Sequence, residues 1–132
     1  MVAASRRHLT ERYASGVDLL LWETEKRLIP DLDAIKAVTA ATGAGQAGAL
    51  DLGAALVLAQ AARLTLDRLE HELFLAARAL GMTDEALAVV LGLPDAAAAR
   101  ARQRFLEDRS RLPPDAPGNA AKCRRHEDSG LR

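Results

Sequence analysis

Apolar positions recur at helical spacing in several stretches of the chain. Val17, Leu20, Leu21 and Leu28 are separated by Glu23, Glu25, Lys26 and Arg27, which predicts an amphipathic helix from Val17 to Ile29. Pro30 ends or kinks it. Leu32, Ile35 and Val38 come next at three-residue steps, with Asp31 and Asp33 placed at the start of a second helix. The longest pattern starts at Asp51, read as an N-cap, and runs to Leu80 without proline and without glycine after Gly53. At 1.5 Å per residue such a helix is roughly 45 Å long. Along it Leu52, Ala55, Ala59, Ala62, Leu66, Leu69, Leu73, Ala76 and Leu80 alternate steps of three and four, as in the seam of a close-packed helix pair. A seam needs a partner, either the N-terminal helices folding back or the same helix of a second chain. Leu52, Ala59, Ala62, Leu66, Leu69 and Leu73 are assigned to a homodimer seam on this basis. Leu56, Leu58, Leu64, Phe74 and Leu75 lie off it, so the helix is apolar on more than one side.

The flanking segments lack such periods. Residues 1–12 are polar and basic and read as a flexible arm, with residues 13–48 as N-terminal helices and a Gly-rich connector. Gly43, Gly45 and Gly48 have the Gly-x-Gly-x-x-Gly spacing of a dinucleotide-binding turn. That turn works only between a β-strand and a helix, and the preceding segment has a helical period. It is read as a connector. Residues 49–112 hold the long helix plus a helix-turn-helix, and residues 113–132, rich in Pro, Ala and Gly, read as a disordered basic tail.

Local signals lay out the helix-turn-helix directly after the long helix. Gly81 stops the long helix, and Thr83 with Asp84 and Glu85 opens a short one ending near Leu91. Gly92 supplies a turn, Pro94 and Asp95 begin the next helix, and Pro113 and Pro114 exclude helix beyond Leu112. Leu87, Ala88, Leu91, Gly92, Leu93, Ala98 and Phe105 are the expected core of this unit. The resulting expectation is an all-α fold: N-terminal helices packed on a long central helix, followed by a C-terminal helix-turn-helix.

This stretch resembles a group of small helix-turn-helix regulators of high-GC bacteria, among them heat-shock gene regulators. Asp67-Arg68-Leu69-Glu70, Ala76-Ala77-Arg78, Gly81-Met82-Thr83 and Leu91-Gly92 carry the resemblance, which covers roughly residues 56–106. It implies a DNA-binding transcriptional regulator. In that group the second motif helix opens Ser-Arg-Gln-Ala-Ala, and the matching residues here are Asp95, Ala96, Ala97, Ala98 and Ala99. The cap role and the packing alanines carry over; the Arg and Gln that read bases do not, and Asp95 repels phosphate.

Charge gives the DNA reading its remaining support. The chain is neutral overall, which argues against a nonspecific coat protein, but its C-terminal third is net basic. Arg100, Arg102, Arg104, Arg109, Arg111, Lys122, Arg124 and Arg125 are the candidate DNA contacts, directed at phosphate rather than bases. The expected function is therefore a dimeric regulator or nucleoid-associated protein on double-stranded DNA. The alternative is a protein-protein interaction scaffold derived from the motif, docking through the long helix and the surface around Leu20, Leu21 and Trp22. No nucleophile-base pair or metal-ligand spacing stands out, so no enzymatic activity, cofactor or metal is expected. Cys123 is the only cysteine, and no apolar run approaches the roughly 18 residues of a membrane span, so a cytoplasmic protein without a membrane partner is expected.

Overall fold

The computed structural model describes residues 1–112, which form six helices and no strand. They are α1 (Val2–Tyr13), α2 (Gly16–Glu25), α3 (Asp31–Gly43), α4 (Ala49–Ala79), α5 (Asp84–Val90) and α6 (Ala96–Ser110). Lys122, Cys123, Arg124, Arg125 and the basic tail lie outside the described residues.

α4 is the spine of the fold and packs on two different faces. Its N-terminal half meets α1 and α3 around Leu9, Ile29, Ala34, Val38, Ala54, Ala55 and Leu58. Its C-terminal half meets α6, which with α5 encloses Phe74, Leu87, Ala88, Ala99 and Leu106. Leu58 and Phe74, the buried centres of the two clusters, stand sixteen residues apart. At 3.6 residues per turn that is about 160° around the helix. The two helix groups therefore cover nearly opposite sides of α4. Among the described residues they contact α4 and not each other.

The expected flexible arm is instead helix α1. Its attachment is mostly polar, which is why hydrophobic spacing does not reveal it. Leu9 and Thr10 are fully buried, and Thr10 Oγ1 accepts from the Ile29 amide at 3.1 Å. Arg6 makes two 2.8 Å bonds to Asp31 at the start of α3, which raises the guanidinium pKa. Asp51 is the second anchor. It is not the N-cap of α4 but its third residue: Gly48 occupies the cap position, and its amide donates to Asp51 Oδ2 at 3.3 Å. The buried carboxylate also takes His8 at 2.8 Å, Arg12 at 2.6 Å and Tyr13 at 2.7 Å.

Burial alone would push the Asp51 carboxyl up, yet the bonds from Tyr13, His8, the Gly48 amide and Arg12 together hold it at about 2. A depressed native pKa stabilises the fold above the ordinary carboxylate range, and that stability is lost as pH falls toward 2. Acid unfolding followed by circular dichroism is expected to show a loss between about pH 4 and 2 that is absent from Asp51→Asn, which melts lower than the wild type at neutral pH.

Other boundaries also shift. α2 ends at Glu25, five residues before Pro30, because Lys26 adopts a left-handed φ of 54°. Its residues Val17 and Leu20 face outward, and none of its side chains is buried. Gly43 closes α3, Gly45 turns at φ 70° and Gly48 caps α4, so the three glycines join two helices and no strand precedes them. α4 is long and apolar enough, by length and composition, to cross a membrane, with mean hydropathy 1.4 over its most apolar 18 residues. Leucine, valine and alanine produce that average, although Asp51, Gln60 and Arg63 interrupt the apolar positions.

Candidate nucleic-acid interface

The second cluster sets the position of α6, and local signals build each corner of it. Gly81 takes φ 87° after α4, and the Met82 amide returns to the Ala77 carbonyl at 3.0 Å, closing the helix with a Schellman-type bond. Thr83 Oγ1 accepts from the Ala86 amide at 3.2 Å and caps α5. After Val90 the chain repeats the device. Gly92 takes φ 66°, and the Leu93 amide bonds the Ala88 carbonyl at 2.8 Å. Asp95 Oδ1 then caps α6 by accepting from Ala98 at 2.8 Å. Asp95→Ala is expected to cost about 0.5–2 kcal/mol in urea unfolding, as loss of an N-cap does elsewhere.

The core of this helix pair differs from the expected set in three places, Leu91, Gly92 and Phe105, which are exposed; Gly92 serves as the turn and is not packed. Leu87 and Ala88 are buried, Leu93 packs at the edge, and Ala98 is half-buried beside the fully buried Ala99. Leu91 stands 38% exposed at the C-cap of α5, where the chain turns into Gly92. Phe105 stands 48% exposed, because its neighbour Leu106 takes the inward position. The Phe105 ring lies instead beneath the guanidinium groups of Arg102 and Arg109, 5.4 and 5.8 Å from its centroid.

α6 sorts its arginines into two sets. Arg102 and Arg109 are seven residues apart and face α4. Arg102 makes a bidentate pair with Glu70 at 3.0 and 2.7 Å, which raises its pKa, and Arg109 reaches Asp67 at 2.9 Å. These two arginines fasten α6 to the spine. Arg100, Arg104 and Arg111 fall within about 40° of one another on a helical projection and form an outward stripe. Arg104 is exposed and has no ion pair among the described residues. Arg100 bonds Asp84 at 3.0 Å, and Arg111 bonds Glu107 at 2.8 Å. Asp84 also takes Arg78, and the bonds from Arg78 first and Arg100 second lower its pKa. Arg78 bonds Gln103 of α6 as well, so α4, α5 and α6 meet at this cluster.

Ala97 and Ala101 are exposed to one side of the outward arginines, so the helix surface beside the stripe carries only small side chains there. Glu107 and Asp108 border Arg111 and dilute its charge, leaving Arg100 and Arg104 as the positive end of the stripe. Sequence spacing alone did not separate the two sets, because the inward set is defined by where Asp67 and Glu70 stand on another helix. The proposed seam residues lie away from this site. Leu52, Leu66, Leu69 and Leu73 are 41–69% exposed, whereas Ala59 and Ala62 are half-buried. Among the described residues no group of three or more His, Cys, Asp or Glu side chains is arranged to hold a metal ion.

The described residues thus define an all-helical protein whose long central helix carries a separate helix group on each end. No family model, curated protein or solved structure matches this chain.

Proposed function

We propose that α5, the Gly92 turn and α6 act as a helix-turn-helix in a cytoplasmic DNA-binding regulator or nucleoid-associated protein that holds the duplex mainly by its phosphates. The observation carrying this reading is the outward stripe of Arg100, Arg104 and Arg111, held in place by a separate inward set. Arg104 is exposed without an ion pair among the described residues and Arg111 bonds only its own helix, so these two do not fasten α6 to α4, while Arg100, 52% exposed, shares Asp84 of α5 with Arg78. The alanines at the start of α6 offer at most methyl contacts, so affinity varies little with sequence. The test is anisotropy of a labelled mixed-sequence duplex at rising salt. Binding that weakens linearly in a log-log plot supports the reading, and no binding at low salt removes it.

A second reading, a protein-docking scaffold, has its own support. α2 buries none of its side chains and presents Val17 and Leu20 to solvent beside the half-buried Trp22. Retention of a specific protein partner by the nuclease-treated wild type, lost on Leu20→Glu and accompanied by no duplex binding, would favour it.

A further inference from the structure

We propose that the groove between α1 and the end of α2 binds a small organic anion, a carboxylate carried on a compact apolar body such as an aryl ring. Such binding requires neither DNA nor a protein partner and stands apart from the α6 stripe. Ala3 and Arg7 of α1, Trp22 of α2, and Lys26 and Leu28 after it outline a space of about 340 Å³. That volume lies at the lower end of the range of small-molecule sites. Ala3 and Arg7 are four residues apart on one edge, and Trp22 and Lys26 are four apart on the other, so each edge brings one apolar and one cationic residue.

The lining selects the ligand. Its apolar part is Ala3, the half-buried Trp22 and Leu28, which stands 40% exposed. Its two ionisable members, Arg7 and Lys26, are both cationic. The Lys26 ammonium lies 5.1 Å from the indole centroid and has no ion pair among the described residues. Arg7 gives its Nε to Glu11 at 2.9 Å, and its terminal nitrogens make no hydrogen bond among the described residues. A bare anion leaves the indole and Leu28 unused. A neutral apolar molecule displaces water from the two cations without replacing its hydrogen bonds. A carboxylate on an apolar body meets both requirements. Protein partners engage about 20–30 residues a side, so a groove of five suits a free small molecule.

The backbone at Lys26 supports the assignment. Its amide returns to the Trp22 carbonyl at 3.0 Å and the Arg27 amide to the Leu21 carbonyl at 3.2 Å, the Schellman ending of α2. This ending puts Lys26 at φ 54°, a conformation that glycine adopts freely and a side chain resists. A lysine there weakens the turn while placing a cation against the indole, as strained residues do at ligand clamps.

The experiment uses the full chain without DNA, and Trp22, its only tryptophan, reports occupancy by its emission. Titration with phenylacetate is expected to give a saturable change, and acetate and phenylacetamide at the same concentrations none. Lys26→Gln and Arg7→Gln are each expected to weaken phenylacetate binding about three- to tenfold. Arg63→Gln, at an exposed position of α4 outside the groove, is expected to leave it unchanged. Lys26→Gly separates binding from folding: it is expected to melt higher than the wild type and to bind as weakly as Lys26→Gln. No saturable response to phenylacetate, an equal response to phenylacetamide, or undiminished binding by Lys26→Gly would each overturn the inference.

Discussion

Leu106→Ala lowers the unfolding free energy by about 2–5 kcal/mol, the range for removing a large buried aliphatic side chain. Leu106 is fully buried, and the cluster around it is small: Phe74, Leu87 and two alanines are its other buried members. α5 has only seven residues, too short to persist without tertiary packing. The loss of side-chain carbons at Leu106 therefore falls on the contact that holds α5 and α6 to α4. Leu58→Ala, in the other cluster, is expected to cost a similar amount by loosening α1 and α3. Because the two clusters share only α4, the double variant should lose close to the sum of the two. Urea unfolding followed by circular dichroism measures all three. A loss under about 1 kcal/mol at Leu106 would mean that it does not anchor α5 and α6, and strong non-additivity would mean that the two ends are not packed separately.

The second large effect concerns binding. Replacing Arg100, Arg104 and Arg111 together with alanine is expected to make the log-log salt dependence of duplex binding shallower by about 2.7, since each phosphate contact contributes about 0.9 on B-form DNA. The weakening should be nearly equal for duplexes of different sequence, because phosphate contacts carry no base information. Thermal stability should change little, because Arg104 has no ion pair among the described residues, the Arg111 pair is exposed, and Asp84 keeps Arg78 when Arg100 is removed. Arg102→Ala should do the opposite. It leaves Glu70 without its bidentate partner at the α4–α6 contact, so melting falls while the salt dependence stays as in the wild type. An unchanged salt dependence in the triple variant would assign its arginines to surface solvation.

Local signals explain how much of this was legible in the sequence. Gly81, Thr83, Gly92 and Asp95 act within a few residues of themselves, and each appears in the structure as the stop, cap or turn its type implies. The long helix was legible because its apolar period is sustained over many turns. α1 was not, because Leu9 is its only fully buried large apolar residue, and Arg6, His8, Arg12 and Tyr13 attach it through Asp31 and Asp51. Hydrophobic periodicity does not register a helix held by hydrogen bonds. Phe105 and Leu106 show a related limit: both are apolar, and only the direction of α4 decides which turns inward. The division of the arginines has the same origin, since the acids that claim Arg102 and Arg109 stand more than thirty residues earlier in the chain.

Whether the outer face of α6 meets phosphate is tested most directly by comparing two single variants in the duplex titration. Arg104→Ala removes the exposed arginine without an ion-pair partner among the described residues, and Arg7→Ala removes an exposed arginine of α1, in the helix group at the opposite end of α4. The expected result is a salt dependence shallower by about 0.9 for Arg104→Ala and unchanged for Arg7→Ala. Equal effects of the two substitutions, or no effect of either, would contradict it.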